Sequence, residues 1–446
     1  MAKVTVFWMR RDLRLHDNQA LSESLKASPK VLPLFIFDRA ILEKLHDKND
    51  ARVTFIHNQL AHLKKELNEK YHSDLHVLYG DVLEIFKELA TDMQIEKVFT
   101  NHDYEPAAVQ RDEKIAKFLE SKKIEFHTFK DQVIFEKDEV VSDTGKNYTV
   151  YTPYKKKWLK QFETLSLKPL SIQKLTGSFL QVAKPSPMPS LKEMGFEAST
   201  IQIPAAEFPK AIIERYNETR DFPAVTKGTS RLGCHLRFGT ISVRELALAA
   251  KDLNETYLSE IIWRDFFMQI LHHYPRVVSQ SFRPEYDLIA WRKSSSDFEK
   301  WCTGQTGYPI VDAGMRELNE TGHMHNRVRM IVASFLTKHL LIHWSEGERY
   351  FARKLLDYDL SANNGNWQWA AGSGCDAAPY FRIFNPYTQT EKFDPEMKYV
   401  DMWVPERKNP RYAPPIVDHV QARERCLTEF KKGLAKKTTT KIGAEA

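Results

Sequence analysis

The chain has 446 residues, of which 42% are hydrophobic and 28% charged, and its formal net charge is +6. This length exceeds what one ordinary core serves, so we expect two domains with connecting material. No apolar run approaches the roughly 20 residues that span a bilayer, and residues 1–14 lack the apolar core of a signal peptide. The sequence therefore predicts an intracellular, cytoplasmic protein without a membrane segment.

Short apolar runs alternate with helical patterns in the first part of the chain. Strands are predicted at residues 4–8, 31–37, 75–79, 97–100 and 124–129. Between them, segments such as 51–71 place apolar residues at helical spacing. Alternating strands and helices form a parallel sheet, so the predicted fold class is α/β with a doubly wound, Rossmann-like first domain. The first strand runs into residues 10–14 without a Gly-x-Gly-x-x-Gly motif, so a dinucleotide site is not expected there.

Composition changes along the chain suggest where the domains end. Prolines accumulate between about 164 and 209, and beyond 212 helical patterns replace strand patterns. We therefore predict a sheet domain at 1–135, a connector at 136–209, an all-helical domain at 210–434 and a frayed tail at 435–446. The four cysteines lie far apart, without zinc-ligand spacing, so we expect reduced packing thiols and no metal site.

The segment 228–233 is predicted to be a turn that brings two hydroxyls, those of Thr229 and Ser230, to a helix start. Exposed N–H groups, these hydroxyls and the nearby Arg231 would suit a phosphate. The alternative is a simple helix cap.

The segment 326–340 carries apolar residues at helical spacing, which predicts a core-facing helix. Asn326 and Met330 stand four residues apart on another face, where both could contact one ligand. The alternative is a polar cap followed by a packing methionine.

Glu260 and Trp263 are three residues apart on a further predicted helix. An indole that stacks beside a carboxylate that accepts hydrogen bonds would suit a flat base. An interface tryptophan next to a solvated glutamate is the alternative.

The segment 356–369 concentrates polar and aromatic residues: two aspartates, three asparagines, a glycine and two tryptophans. Aspartate, asparagine and glycine disfavour helix interiors, so an ordinary core helix is not expected. Because buried polar groups need partners, the segment is predicted to enclose a polar, partly aromatic ligand, with a plain loop as the alternative.

Together these motifs resemble the cryptochrome/photolyase family over nearly the whole chain. Seven stretches in the family's order carry the resemblance, namely 7–18, 228–232, 307–313, 325–330, 346–351, 363–369 and 381–386. The resemblance implies an α/β antenna domain followed by an all-helical FAD-binding domain.

The resemblance also implies how FAD is bound. The matching positions are Tyr216, Thr229, Ser230, Arg231, Leu232, Trp263, Asn326, Arg329, Asp357, Asp359 and Asn363. Thr229 and Ser230 would meet the diphosphate, and Arg329 would pair with Asp357 beside the ring. Asn363 would stand near the flavin N5, where a neutral group avoids repelling a reduced anion.

Within the family, the chain looks most like enzymes that repair cyclobutane pyrimidine dimers in UV-damaged DNA, a carbon–carbon lyase reaction driven by light. The dimer-contacting positions of that class are matched by Glu260, Trp263, Asn326, Met330 and Trp369. Enzymes for (6-4) lesions typically carry a histidine pair where His325 and Asn326 stand, and DASH-type relatives usually have glutamine in place of Met330. Both branches remain as alternatives.

Three further tryptophans, Trp291, Trp344 and Trp367, match the family's electron-transfer chain from the surface to an oxidised flavin. Alone, each is better explained by core packing. Their joint match implies a route that restores the reduced flavin.

Family members carry a folate, a deazaflavin, a flavin or nothing as a second, antenna chromophore. The candidate residues Asn101, His102, Tyr104, Glu105 and Arg111 do not choose among these. A basic segment at 155–158, which includes Trp158, could touch DNA, but a solvated basic turn is the preferred interpretation.

Two other classes of function remain open. A cryptochrome-type light sensor would share the fold and FAD, although such receptors generally add a C-terminal extension. A dark flavoprotein oxidoreductase would need a nicotinamide site, for which no glycine-rich loop is present. We expect a monomer that associates with the nucleoid when bound to DNA.

Overall fold

A computed structural model describes residues 3–442, with side chains through residue 436. The chain divides into two compact units, each built from three stretches. The sheet unit contains residues 3–136, 161–207 and 231–252, and the helical unit contains 137–160, 208–230 and 253–442. The segment 136–209, predicted as a connector, is thus divided between the two units, and 231–252 groups with the sheet unit. The predicted boundaries missed this division, because local periodicity does not show that later segments pack with an earlier part of the chain.

The sheet unit contains five parallel strands in the order β3-β2-β1-β4-β5. Their bounds are Val4–Met9 (β1), Val31–Asp38 (β2), His76–Gly80 (β3), Ile95–Asn101 (β4) and Glu125–Phe129 (β5). In β1, Val6 is level with Leu32 of β2 on one side and Val98 of β4 on the other. The order reverses at β1, as in a doubly wound sheet, so the predicted α/β class and all five predicted strands are confirmed.

Helices pack around these strands and supply much of the apolar core. The first are Gln19–Ala27 (α1), Arg39–Leu42 (α2), Ala51–Tyr71 (α3), Val82–Asp92 (α4) and Pro106–Ser121 (α5). Side-chain caps begin α1, α3 and α4, where Asn18, Asp50 and Asp81 accept hydrogen bonds from first-turn amides. The helix predicted at 51–71 has those bounds.

The remaining helices lie mainly in the helical unit. Their bounds are Tyr151–Thr164 (α6), Lys210–Glu214 (α7), Tyr216–Thr219 (α8), Gly233–Phe238 (α9), Val243–Leu253 (α10), Glu255–His273 (α11), Ser295–Cys302 (α12), Pro309–Thr321 (α13), Asn326–Ser334 (α14), Trp344–Lys354 (α15), Leu360–Ala371 (α16), Pro386–Phe393 (α17), Lys398–Trp403 (α18) and His419–Ile442 (α19). Short 3₁₀ turns occupy Thr176–Ser178, Pro275–Val278, Pro284–Leu288 and Pro405–Lys408, and α14 continues as a π-helical turn at Phe335–His339.

A large hydrophobic cluster occupies the centre of the helical unit. It includes Trp301, Tyr308, Phe335, Trp344 and Trp367, all at most 2% exposed. The apolar stripe predicted on 326–340 is buried in this cluster or beside it. The core-facing helix predicted from that spacing is confirmed.

Two local predictions need correction. The basic segment 155–158 lies inside α6 instead of forming a turn, and Trp158 is fully buried with its indole N–H donating to Asp265 at 2.9 Å. Lysine-rich composition hid this helix, because its buried face is carried mainly by aromatic residues. The helix α19 continues through Ile442, into the segment predicted as frayed, and residues 443–446 lie outside the described part of the chain.

All four cysteines are buried and free, as predicted. Across residues 3–442, no helix combines the length and apolar character needed to cross a membrane. The same residues contain no cluster of metal-ligating side chains.

Candidate active site

The helical unit contains a cavity of about 610 Å³, part of it open to solvent, walled by α14, α15 and α16. Its lining includes many of the predicted site residues, namely Asn326, Arg329, Met330, Asp357, Asp359, Asn363, Trp367 and Trp369. Residues that are distant in sequence and were proposed from separate motifs therefore meet at one place.

Helix α16 forms the polar wall of this cavity. Asp359 caps the helix by accepting from the amides of Ser361 (3.1 Å) and Ala362 (3.3 Å). A Cβ on Gly365 would lie 2.2 Å from a ring carbon of Phe267, so glycine permits the close approach of α11. Within the segment 356–369, residues 360–369 are helical, so the plain-loop alternative is wrong. Its aspartate, glycine and asparagines serve a cap, a close contact and a cavity wall, as in no ordinary core helix.

An ion pair between Arg329 and Asp357 lines the cavity just before α16 begins. The guanidinium of Arg329 donates to Asp357 at 2.9 and 3.2 Å, and its Nε donates to the carbonyl of Met324 at 2.7 Å. Burial alone would raise the pKa of Asp357, but Arg329 more than offsets this and holds the pKa below its usual value. The predicted pairing is confirmed, and it places a fixed, nearly neutral pair beside the cavity.

Asn363 is held by a residue that the sequence did not single out. Its amide nitrogen donates to the Glu348 carboxylate at 2.9 Å and to the Glu348 carbonyl at 3.1 Å, and both side chains are buried. Burial raises the pKa of Glu348, while the hydrogen bond from Asn363 opposes the rise. Glu348 stands in the motif 346–351, which was the available signal.

Glu260 and Trp263 lie on α11 and do not line the cavity. Glu260 hydrogen bonds with Arg220, and burial raises the pKa of Glu260 although Arg220 opposes this. Trp263 stacks face to face on Tyr151, with 3.5 Å between ring centroids and 5° between planes. These two partners, Arg220 and Tyr151, come from distant segments and were not predicted.

The turn predicted to present hydroxyls to a helix is arranged differently. Helix α9 begins only at Gly233, and Leu232 occupies its N-cap without a side-chain hydrogen bond. The Ser230 hydroxyl instead hydrogen bonds with the Tyr257 hydroxyl at 2.9 Å. Neither Thr229 nor Ser230 caps the helix, because the turn extends two residues further than expected. Tyr257 is a further residue that sequence reasoning missed.

Two more predicted FAD positions, Tyr216 and Arg231, lie before and within this turn. The Tyr216 ring packs edge-to-face with Tyr257, with 5.0 Å between centroids, and the Arg220 guanidinium lies 5.3 Å from the Tyr216 centroid. Arg231 is exposed and has a left-handed backbone, with φ of 53°. The boundary between the two units falls between Ser230 and Arg231.

The three tryptophans of the predicted electron-transfer chain share one hydrophobic cluster. Trp344 and Trp367 are buried in it, and Trp291 packs against it. The indole nitrogens of Trp291 and Trp344 are buried without a hydrogen-bond acceptor among the described side chains and backbone. Trp367 fits closely against α15, since a Cβ on Gly347 would lie 2.1 Å from its ring.

The candidate antenna residues lie in the sheet unit, at the end of β4 and the start of α5. The Asn101 amide donates to Asp12 (2.6 Å), and His102 and Tyr104 both contact Glu136. The Glu105 carboxylate accepts from Arg11 and Arg237, and the Arg111 guanidinium lies 5.2 Å from the Trp8 ring centroid. Each is engaged with protein groups.

Comparison with known families assigns both units. The family model "DNA photolyase" matches residues 5–173, and the model "FAD binding domain of DNA photolyase" matches residues 257–411. The helical cavity therefore belongs to a flavoprotein, with FAD as its cofactor.

Individual proteins agree with this assignment. A deoxyribodipyrimidine photo-lyase from Halobacterium salinarum is 36% identical, over 96% of this chain and 98% of its own. The structure of an archaeal photolyase from Sulfolobus tokodaii, containing two FAD molecules, is 35% identical and superimposes with a TM-score of 0.82 over 96% of this chain and 100% of its own. A cryptochrome from Synechocystis shares the fold at 23% identity and a TM-score of 0.84, over 96% of this chain and 99% of its own. The chain belongs to the DNA photolyase family, as its motifs predicted.

Proposed function

We propose that this protein splits cyclobutane pyrimidine dimers in DNA, using light absorbed by its bound FAD. The observation that carries the proposal is the meeting of Asn326, Met330 and Trp369 with Asn363 in one cavity of the FAD-binding unit. The relatives named deoxyribodipyrimidine photo-lyase support the same substrate. When bound, FAD supplies the light-excited electron that opens the cyclobutane ring.

The cavity suits the ring system of a flavin, because it combines aromatic walls with fixed hydrogen-bonding groups. In the proposed arrangement, Arg329, Asp357, Asp359 and Asn363 hold the ring at the polar wall. Asn363 presents a neutral amide whose orientation is fixed by Glu348. The remaining FAD contacts are proposed for Tyr216, Thr229, Ser230, Arg231, Leu232, Trp263 and Asn326.

The lesion is proposed to leave the duplex and to contact Glu260, Trp263, Asn326, Met330 and Trp369. Unstacking a base costs a few kcal/mol, and damage already reduces that cost. Asn326 and Met330 are adjacent on α14, with 4.0 Å between the amide nitrogen and the sulfur. Together they offer a hydrogen-bonding group and an adaptable apolar group to one ligand.

Trp291, Trp344 and Trp367 are proposed to return electrons to an oxidised flavin. Their common cluster supports this role, because indoles packed in or against one core can relay an electron through it. Repair itself does not require the relay.

The fold alone does not distinguish repair from light sensing, because a cryptochrome shares it. The decisive experiment is repair of thymine dimers in duplex DNA under blue light and in darkness. Light-dependent repair is expected. Its absence, or efficient turnover of (6-4) lesions, would contradict the proposal.

A mutation tests the lesion contacts. Glu260→Ala is expected to weaken binding of dimer-containing duplex by about 1–3 kcal/mol, the cost of an unpaired buried polar group, with a far smaller change on intact duplex. Glu255→Ala is the matched control, because Glu255 is on the same helix with its side chain 75% exposed. Equal losses on damaged and intact DNA would argue against the lesion contact.

A second chromophore is proposed for the sheet unit. The two FAD molecules in the Sulfolobus tokodaii photolyase support the presence of such a group, and Arg10 and Arg111 both lie within 5.2 Å of the Trp8 ring centroid near the strand ends. Chromophore extraction from the purified protein should yield a folate, a deazaflavin or a second flavin. Recovery of a single FAD alone would contradict this.

The protein is also proposed to act as an intracellular monomer, at the nucleoid when bound to DNA, because its proposed substrate is chromosomal. Light scattering should give one chain per particle. A fluorescent fusion should concentrate on DNA after ultraviolet exposure.

A further inference from the structure

One carboxylate, that of Asp221, joins two arginines beside the proposed lesion contacts. Arg327 donates to Asp221 Oδ1 at 2.6 Å, and Arg220 Nε lies 3.9 Å from the same oxygen. Each arginine also reaches a second group. Arg220 hydrogen bonds with Glu260, and Arg327 Nη1 lies 3.7 Å from the sulfur of Met330.

Both guanidinium groups are held on aromatic rings as well. Arg220 lies 5.3 Å from the Tyr216 centroid, and Arg327 lies 4.2 Å from the Phe393 centroid. The side chains of Arg220 and Arg327 are 25% and 18% exposed, while Asp221 is 41% exposed. Asp221 is therefore the most accessible of these three charged side chains.

We propose that Asp221 sets the preference of this protein for damaged over intact DNA, an inference that rests on the proposed repair function. Arginines bind the phosphates of any duplex and give no sequence or damage selectivity by themselves. Asp221 pairs directly with Arg327 and lies near Arg220, which hydrogen bonds with Glu260. Intact DNA must therefore displace the Asp221 carboxylate before a phosphate gains Arg327. A flipped lesion instead meets Glu260 and Met330, which the same two arginines hold in place.

The test is Asp221→Asn, assayed in the dark for binding to intact duplex and to duplex with one thymine dimer, across a range of salt. The variant should bind intact duplex several-fold more tightly. Its salt dependence should steepen by about 0.9 in log–log slope for each arginine released to a phosphate. Affinity for damaged duplex should rise less or fall, so the ratio of the two affinities drops by roughly threefold or more, about 0.65 kcal/mol.

Two variants control for charge and for folding. Asp401→Asn removes the same charge from a carboxylate of similar exposure (42%), which pairs with Arg407 and Lys408 away from this cluster. Asp221→Glu keeps the charge and should keep most of the preference. Normal flavin absorbance in all three variants establishes that each is folded.

The outcomes separate the two proposals. An unchanged affinity ratio in Asp221→Asn, an equal change in Asp401→Asn, or full loss of preference in Asp221→Glu overturns the role of Asp221 while leaving repair intact. A wild-type protein without preference for damaged duplex and without light-dependent repair overturns both.

Discussion

Buried charges in the sheet unit pair with one another, whereas polar side chains in the helical unit line a cavity. In the sheet unit, Asp131 accepts from Arg14 and Arg244, and Arg244 also donates to Asp17. In the helical unit, Arg329, Asp357 and Asn363 have protein partners but keep a surface on the cavity. Similar residue types therefore stabilise the fold in the sheet unit and line a ligand site in the helical unit. Mutations should separate the two roles, with stability affected in the first and cofactor chemistry in the second.

The largest effect is expected from Asp131→Asn. The Asp131 side chain is 1% exposed, and those of Arg14 and Arg244 are 8% and 9% exposed. Removing one partner of a buried ion pair leaves uncompensated charge, which costs about 3–5 kcal/mol. Denaturant unfolding of the purified protein measures this loss. FAD content of the folded fraction should not change.

Asp143→Asn serves as the control, because the Asp143 side chain is 95% exposed while it pairs with Lys157. No measurable loss of stability is expected for such a surface pair. Equal losses of stability in Asp131→Asn and Asp143→Asn would mean that burial does not determine how much the sheet-unit ion pairs contribute to the free energy of unfolding.

The next effect concerns Asn363→Asp. The new carboxyl would stand within hydrogen-bonding distance of Glu348, whose pKa burial already raises. Two carboxylates that close cannot both ionise, so a loss of about 1–3 kcal/mol in stability or FAD binding is expected. A redox titration should also show the reduced, anionic flavin disfavoured, because the one negative charge of the pair can then lie on residue 363, at the proposed position near the flavin.

Asn366→Asp is the matched control for that substitution. Asn366 lies on the same helix and lines the same cavity, but it is exposed. Unchanged redox behaviour in Asn363→Asp, or the same shift in Asn366→Asp, would contradict the placement of Asn363 near the flavin.

Sequence patterns predicted the parts of this molecule that depend on local spacing. Strands such as 31–37 and the helix 51–71 were predicted because burial repeats with the period of the element. The residues that meet at the cavity were found through motifs of a known family. The partners of these residues were not predicted. Tyr151 contacts Trp263, and Glu348 contacts Asn363, from separate segments of the chain. No local sequence pattern encodes such contacts. The division of the chain into interleaved units was missed for the same reason.

A smaller effect, on a rate, is expected from Trp367→Phe. Phenylalanine keeps most of the packing against Gly347 but is much harder to oxidise, so photoreduction of oxidised FAD should slow by roughly tenfold or more, about 1.4 kcal/mol on the barrier. Transient absorption measures this rate. Repair by chemically prereduced enzyme should be retained. Trp158→Phe, at a buried tryptophan of the same unit, should leave both rates unchanged, and loss of repair in Trp367→Phe would indicate a structural role.

The smallest effect, about 1 kcal/mol per pH unit, concerns the pH dependence of stability, which also differs between the two units. In the helical unit, His339 and His419 share a hydrogen bond of 2.8 Å between ring nitrogens, where at most one proton fits. Burial, assisted by His419 and Arg425, lowers the pKa of His339 to about 3. Below a pH of about 6.5 the unfolded chain therefore binds a proton at this histidine that the folded chain does not bind. Acid consequently favours unfolding between the folded and the unfolded pKa of His339.

In the sheet unit, burial would raise the pKa of Asp131, but Arg14 and Arg244 more than offset this effect and hold the Asp131 pKa below its usual value. The stability contributed by Asp131 is thus lost only below about pH 3.8.

His339→Gln should flatten the fall of stability between pH 6 and 4 by about 1 kcal/mol per pH unit. The slope is the relevant measurement, because the substitution also changes packing at every pH. His62→Gln, at an exposed histidine, should leave the slope unchanged. Below about pH 3 the wild type and His339→Gln should lose stability in parallel, because His339 is then protonated in both the folded and the unfolded chain and the remaining titrating groups are shared. A slope in His339→Gln equal to that of the wild type would mean that the buried histidine pair does not cause the acid sensitivity of the helical unit.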